Sequence, residues 1–341
     1  MQQPVDEQGP SDDRSRQPPR AGSPLPRALL LASLAALATL VVFVWLALAA
    51  RPADRPTSPP LPSYEAPSSL EPEPSGARVL VGAGDIASCD RDADEATARI
   101  VERISGTVFT TGDNVYERGT RAEFERCYDP TWGRFKERTQ PVPGNHDYAT
   151  ENGAAYFGYF GRAAGSPSRS WYAYDLGSWR IYALDSNCER IAGGCGEGST
   201  QVAWLRDDLE ANSRRCVAAF WHHPRFSSGR HGSTPAVDTL WRVLVAGGAE
   251  LVVTGHDHLY ERFAPLDADG RPDTLAGTRH FTVGTGGRDL YEFRQILDAS
   301  EVRDAGTFGV LRLDLRADGY DWRFLPVPGA AFTDEGTGGC R

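Results

Sequence analysis

Lysine is nearly absent from this chain of 341 residues: Lys136 is the only one, and every other basic side chain is an arginine. The 36 basic residues are outnumbered by 46 acidic ones, which gives a formal net charge of −10. A general nucleic-acid binder normally carries a basic face, so we expect no nucleic-acid-binding face here. The proportions of apolar (40%) and charged (24%) residues are ordinary for a globular protein, and they exclude a wholly disordered chain, a coiled coil and a multi-span membrane protein.

Charged side chains are also missing from one long stretch, residues 28–50. At about 1.5 Å of rise per residue, a helix of this length can cross a hydrocarbon core of about 30 Å. Four arginines precede the stretch, and this bias predicts a transmembrane signal-anchor whose N-terminus is cytoplasmic. Two alternatives are a cleaved signal peptide, because Ala47-Leu48-Ala49 resembles a cleavage site, and a buried core helix.

This stretch divides the chain into four parts. Residues 1–27 are polar, and we predict a disordered cytoplasmic tail there, with the anchor at 28–50. Residues 51–76 are rich in proline and have too little apolar surface to bury, which predicts an extended linker. Residues 77–341 are long enough for one folded domain with a single core. We therefore predict a membrane-anchored protein whose folded domain lies outside the cytoplasm; signal cleavage would release it as a secreted protein.

No Cys-x-x-Cys motif occurs, which argues against a cysteine-based zinc site. The six cysteines all follow the apolar stretch, and an even number in an exported domain indicates disulfides. Six cysteines allow many pairings, and buried free thiols are the alternative. The pairing that we favour joins Cys188 to Cys195, Cys89 to Cys127 and Cys216 to Cys340.

The folded part reads as a mixed α/β domain. Two short apolar runs, 78–85 and 107–113, flank a segment with helical spacing, 93–104, which predicts strand, helix, strand. Further strands, a helix and antiparallel pieces follow along the chain. In order, these are a strand that ends at 143–147, two strands within 170–185, a helix over 200–212, strands at 216–222 and 250–254, and a hairpin over 308–325.

Polar side chains stand where five of these apolar runs end. Five of the seven histidines belong to these positions, and ligands in α/β sheets sit beyond the carboxyl ends of strands. Carboxylate, amide oxygen and imidazole are donors that suit Fe, Zn or Mn. One convergent metal site is therefore predicted from Asp85, Asp113, Asn145-His146, His222-His223 and His256-Asp257-His258.

The short motifs around these residues, taken in their order along the chain, resemble those of the calcineurin-like metallophosphoesterases. They are most similar to the motifs of the purple acid phosphatase branch. That branch has a tyrosine three residues after the second aspartate, which Tyr116 supplies, and lacks a histidine two residues after the first, where this chain has Ala87. The resemblance implies a two-sheet β-sandwich flanked by helices. The motifs are Gly84-Asp85, Gly112-Asp113-Asn114-Val115-Tyr116, Gly144-Asn145-His146-Asp147, His222-His223-Pro224 and Gly255-His256-Asp257-His258.

The resemblance also implies a binuclear centre. Asp85, Tyr116 and His258 would bind the first metal, and Asp113 would bridge the two ions. The second metal would be held by Asn145, His222 and His256. A phenolate donor favours Fe(III) at the first position, and the second ion could be Fe, Zn or Mn.

The implied activity is hydrolysis of phosphate esters, with a phosphomonoester as substrate, as in acid phosphatases. A metal-bound hydroxide would attack in line, and His146 would protonate the leaving oxygen. His231 stands where related enzymes place a substrate-contacting histidine. His223 is interpreted as a structural or supporting residue rather than a ligand.

Two other functions remain open at this point. One is a phosphodiesterase acting on nucleotides or envelope polymers, for which Arg225, Arg230 and Arg288 could contact a second phosphate. The other is a non-catalytic metal-binding surface protein, which a lost ligand or a missing His146 would favour. No protein partner can be identified from the sequence.

Overall fold

The computed structural model describes residues 76–341 except residue 214. The first part of this region alternates short strands with helical segments. In order these are β1 (Arg78–Ala83), β2 (Ala87–Ser88), α1 (Ala93–Glu102), β3 (Thr107–Thr110), β4 (Val115–Tyr116), α2 (Arg121–Glu123), a π-helical turn (Phe124–Tyr128), a 3-10 helix (Trp132–Arg138), β5 (Thr139–Pro141) and α3 (Ala154–Phe160) between 3-10 turns at Glu151–Gly153 and Gly161–Ala164.

The second part contains most of the strands and the two helices of the second sheet. The elements are β6 (Tyr172–Leu176), β7 (Trp179–Ala183), α4 (Thr200–Ala211), β8 (Cys216–Phe220), a 3-10 turn (Pro235–Val237), α5 (Asp238–Ala246), β9 (Leu251–Thr254), β10 (Tyr260–Leu266), β11 (Thr278–Val283), β12 (Ser300–Asp304), β13 (Gly309–Leu315), β14 (Gly319–Pro326) and β15 (Glu335–Gly339).

These strands form two large mixed sheets and one small one. The first has six strands in the order β15-β14-β13-β1-β3-β5, and the second has seven in the order β12-β10-β11-β9-β8-β7-β6. Strands β1, β3 and β5 run parallel, as do β7, β8, β9 and β11. The parallel strands thus form one side of the first sheet, with β5 at its edge, and the middle of the second sheet. The mixed α/β fold predicted from the sequence is confirmed.

Side chains of the central strands alternate between the two faces of the sheet, and this explains how the sheets and helices pack in layers. Every residue of β8 is buried, but successive side chains point to opposite faces of a strand. Ala218 and Phe220 join the apolar core shared with the first sheet, where Phe220 lies 5.5 Å from Phe109 between ring centroids. Val217 and Ala219 pack on the other face with residues of α4 and α5. A strand buried on both faces in this way reads as a continuous apolar run.

Three disulfides close loops of very different length. They join Cys89 to Cys127, Cys188 to Cys195 and Cys216 to Cys340, and no cysteine is left free. The favoured pairing is confirmed. The signal-anchor predicted for residues 28–50 lies outside the described residues. Within 76–341, no helix combines the length and the apolar character that crossing a membrane requires.

Candidate metal centre

Four of the predicted ligands lie just after the carboxyl ends of parallel strands in the two large sheets. Asp85 follows β1 and Asp113 follows β3, while His222 follows β8 and His256 follows β9. The backbone turns sharply at three of these positions, because Asp85, Asp113 and His256 all have positive φ values (59°, 47° and 69°). Such conformations are uncommon for residues other than glycine, and they concentrate at functional sites.

Glycine permits one of the close approaches between these turns. A Cβ atom at Gly144 would overlap the Asp113 carboxylate and its backbone nitrogen. Any larger residue would therefore push the loop that carries Asn145 away from Asp113. This is the physical reason for a glycine directly before the Asn-His pair.

The first set of donor atoms surrounds the hydroxyl of Tyr116. Its Oη lies 2.8 Å from Asp85 Oδ1, 2.9 Å from Asp113 Oδ2 and 3.0 Å from His258 Nε2. All four side chains are buried. Burial, together with the charges of Asp113 and Asp85, raises the pKa of the Tyr116 phenol well above its usual range. A phenolate in this position therefore needs a cation beside it.

The second set surrounds Nε2 of His222. This atom lies 3.0 Å from Asn145 Oδ1, 3.2 Å from His256 Nδ1 and 3.4 Å from Asp113 Oδ2. The same Asp113 oxygen thus contacts both sets. The structure therefore brings all seven predicted ligands together, with Asp113 in the middle: Asp85, Asp113, Tyr116, Asn145, His222, His256 and His258.

Backbone groups orient the carboxylates. Asp85 Oδ2 accepts the backbone N–H of His256 at 2.9 Å, and Asp113 Oδ1 accepts that of His146 at 2.8 Å. Each carboxylate thus has one oxygen held by the backbone and the other turned into the site. His222 Nδ1 lies 2.8 Å from the carbonyl oxygen of Thr111, so it donates there and leaves Nε2 as the donor atom for a metal.

The charges of Asp113 and His222 stabilise each other. Burial opposes a charge on Asp113, but the neighbouring His222 holds the pKa of that carboxyl well below its usual range. Burial likewise opposes protonation of His222, yet Asp113 raises its pKa to about 9. Without another cation, a proton on His222 balances the carboxylate. Carboxylate, phenol, amide and imidazole donors that converge in this way fit two hard or borderline metal ions.

His146 and His231 flank the ligand set without belonging to it. The His146 ring lies 4.4 Å from the Tyr116 ring, and its Nδ1 lies 2.6 Å from the carbonyl oxygen of Glu117. The exposed His231 ring lies 4.5 Å from the His256 ring. Asp257, within the last motif, accepts the backbone N–H of His231 at 2.7 Å, and this contact positions the His231 loop.

Two further groups lie at the site: Tyr291 has no signal in the sequence, and His223 was interpreted from the sequence only as a structural or supporting residue. Tyr291 stacks on the His258 ring with 4.1 Å between centroids and an interplanar angle of 12°. It follows a glycine-rich turn, where nothing in the pattern marks it. His223 was placed in a supporting role, but one of its ring nitrogens lies within 4.8 Å of donor atoms of His222 and His256.

Comparisons with known proteins identify the family of this chain and several relatives. The model of the calcineurin-like phosphoesterase family matches residues 79–260, just over half of the chain. An uncharacterized protein of Mycobacterium tuberculosis is 30% identical over 184 residues, which cover 43% of this chain and 35% of that protein. A probable inactive purple acid phosphatase of Arabidopsis thaliana is 26% identical over 193 residues, covering 50% of this chain and 27% of the relative. The matched part of the chain therefore spans about a third of these relatives.

A purple acid phosphatase from yellow lupin (Lupinus luteus) seeds shares the fold. Its structure superposes with a TM-score of 0.62 at 18% sequence identity, and the match covers 77% of this chain and 53% of the lupin chain. A likeness at this identity concerns the fold alone, whereas the family match rests on the sequence. This chain therefore belongs to the calcineurin-like phosphoesterase family, with relatives among the purple acid phosphatases.

Proposed function

We propose that this protein is a binuclear, metal-dependent hydrolase of phosphate esters, and that its substrates are phosphomonoesters, as for an acid phosphatase. The observation that carries the proposal is the position of one oxygen atom. Asp113 Oδ2 lies 2.9 Å from Tyr116 Oη and 3.4 Å from His222 Nε2, so a single carboxylate joins the two donor sets. Pairs of closely spaced metal ions usually share a bridging carboxylate.

We assign one metal ion to each donor set. Asp85, Tyr116 and His258 would hold one ion, for which the phenolate favours Fe(III). Asn145, His222 and His256 would hold the other, which would be Fe, Zn or Mn. When bound, such ions supply charge that stabilises a phosphoryl group and lowers the pKa of water.

His146 is the residue that we assign to proton transfer. Its Nδ1 donates to the Glu117 carbonyl oxygen at 2.6 Å, so its other nitrogen, Nε2, is left for the substrate. On the doubly protonated ring, Nε2–H would hydrogen-bond the phosphate there and give its proton to the departing oxygen, which leaves His146 neutral with its hydrogen on Nδ1. His231, on the side of His256, would contact the substrate as well.

The phosphodiesterase alternative depends on a cation that could bind a second phosphate. Arg225 is paired with Asp238 at 2.8 Å, and Arg288 forms an ion pair with Glu117. Arg230 lies 5.2 Å above the Tyr291 ring, with no carboxylate within 4.0 Å in the described part of the chain. It is therefore the one of the three arginines best placed to favour a diester.

The non-catalytic alternative rests on a different observation. One relative is described as probably inactive, so the fold alone does not guarantee turnover. Against this alternative, every ligand position and His146 are filled in this chain. Metal binding without turnover would support it.

We also propose that the domain acts outside the cytoplasm, anchored through residues 28–50, or secreted if that segment is cleaved. The support comes from the cysteines, all of which form disulfides in the structure. Disulfides persist in oxidising compartments. Protease treatment of intact cells tests this proposal, because an exported domain would be digested and a cytoplasmic one protected.

The activity is tested with protein made under oxidising conditions and loaded with Fe, Zn or Mn. Release of phenol from a chromogenic aryl phosphomonoester is followed from about pH 4 to 9, together with an aryl diester. The Asp113→Ala variant serves as the control, because it removes the shared carboxylate. Metal-dependent turnover that disappears in the variant supports the phosphatase. Turnover of the diester alone favours the phosphodiesterase, and no bound metal contradicts the site assignment.

A further inference from the structure

His223 lies at the edge of the second donor set, where it has two possible roles. Its ring centroid is 4.8 Å from that of His222 and 4.5 Å from that of His256. A ring nitrogen of each of the three residues falls within 4.8 Å of the others. His223 could therefore be a third imidazole ligand, or it could face the substrate. The hydrogen bonds on the other side of its ring decide between the two.

Ser186, which follows β7, contacts both the ring and the backbone of His223. The backbone N–H of His223 donates to Ser186 Oγ at 2.9 Å, and His223 Nδ1 lies 2.9 Å from the same oxygen. The carbonyl oxygen of His223 in turn accepts from Trp221 Nε1 at 2.7 Å. The backbone and one ring nitrogen of His223 are thus held in place.

The hydroxyl group can satisfy these contacts in only one way. A serine hydroxyl has one hydrogen to donate and two lone pairs to accept with. One lone pair already accepts the His223 backbone N–H. If Nδ1 also donated, the hydroxyl hydrogen would have no acceptor among the described residues, although Ser186 is buried with 3% exposure. An unsatisfied buried donor is costly, so the hydroxyl donates to Nδ1.

The tautomer of His223 follows from this contact. A neutral imidazole whose Nδ1 accepts a hydrogen bond carries its hydrogen on Nε2. Nε2 has no hydrogen-bond partner in residues 76–341, and it is not among the polar atoms sealed from solvent. It is therefore an N–H donor that a ligand can reach. A nitrogen that carries hydrogen has no free lone pair with which to bind a metal.

We propose that His223 binds the phosphoryl group of the substrate through Nε2–H, held in that tautomer by Ser186, and that it is not a metal ligand. This inference rests on the proposed function for the identity of the anion. His223 would then contact one oxygen of the phosphoryl group while His146 serves the departing oxygen. The sequence alone placed His223 only in a supporting role, since Ser186 is 37 residues away along the chain.

The test compares two replacements of His223 in the metal-loaded protein. His223→Gln keeps an amide N–H near the position of Nε2, whereas His223→Asn is too short to place one there. Metal content is measured by mass spectrometry, and affinity for inorganic phosphate by calorimetry. We expect both variants to keep the metal content of the wild type. We expect His223→Asn to bind phosphate about tenfold more weakly, the effect of one lost hydrogen bond to a charged group, and His223→Gln to recover most of the affinity.

His280→Asn is the matched control. His280 is a buried histidine whose Nε2 lies 3.0 Å from Thr254 Oγ1, away from the proposed anion. Its replacement should leave phosphate affinity unchanged. Loss of a metal ion in both His223 variants would show that His223 is a ligand, and unchanged phosphate affinity in His223→Asn would show that it is structural; either result overturns the proposal.

An NMR spectrum of the wild type reports the tautomer of His223 directly, even if the variants fold poorly. In zinc-loaded protein labelled with ¹⁵N-histidine, we expect the His223 signals of an Nε2–H tautomer, and we expect Ser186→Ala to weaken that preference. An Nδ1–H tautomer, or a wild type without affinity for phosphate, would contradict the inference. Phosphate binding through His223 without any turnover would instead leave the inference intact and contradict the proposed phosphatase.

Discussion

Asp94 places a carboxyl group in the core, and the stability of the protein should depend on its protonation. The residue lies in the first turn of α1 with only 3% of its surface exposed. One carboxyl oxygen accepts from Thr131 Oγ1 at 2.8 Å, and Gly287 packs closely against the backbone of Asp94. An asparagine can accept the same hydrogen bond. Asp94→Asn therefore removes the charge while keeping the shape.

The expected magnitude follows from the pKa of Asp94. Burial raises this pKa from 3.8 to about 6, although the hydrogen bond from Thr131 opposes the shift. The folded protein therefore holds the proton more tightly than the unfolded chain does. The contribution to stability is fully present below about pH 4 and is lost as the pH rises through about 6. The difference corresponds to about 2 to 3 kcal/mol at pH 8.

Urea unfolding of the metal-free protein at pH 4 and pH 8, followed by circular dichroism, measures this effect. The stability of Asp94→Asn relative to the wild type should be about 2 kcal/mol more favourable at pH 8 than at pH 4. Comparing the two pH values cancels any packing cost of the amide. Asp92→Asn, at an exposed neighbouring carboxylate, is the control and should change by less than about 0.5 kcal/mol. An equal effect of Asp94→Asn at both pH values would refute the reasoning.

Three further predictions concern the site and the disulfides. His146→Ala should keep both metals and lower kcat by about 10²–10⁴, the usual effect of losing a general acid. Metal analysis and steady-state kinetics would check this. Unchanged turnover would show that His146 is not the general acid. Tyr116→Phe should abolish any visible absorption band of the iron-loaded protein, and a surviving band would identify another ligand. Replacing Cys216 and Cys340 by alanine opens a loop with a sequence separation of 124 and should cost up to about 4 kcal/mol, measured by urea unfolding; no loss would mean that the unfolded chain is already compact.

The location of the site was predictable because it depends on a local rule. An apolar run that ends in Asp, Asn or His can be seen in the sequence, and the carboxyl ends of parallel strands meet at one edge of a sheet. Asp85 and Asp113 come together for this reason, since β1 and β3 are parallel neighbours. The pairing of the strands in the two large sheets obeys no such local rule. Strand β13 pairs with β1 although more than 200 residues separate them.

The elements whose signals are local could be predicted from the sequence: the central strands, the helices that follow them, the glycines between the turns and the polar residues at the strand ends. The contacts that complete the site depend on how distant segments pack together. Ser186 reaches His223 from the end of a neighbouring strand, and Tyr291 reaches His258 from a loop. Such contacts depend on the order in which strands pair and on the paths of connecting loops. Both are set by packing of the whole core, so no short stretch of sequence records them.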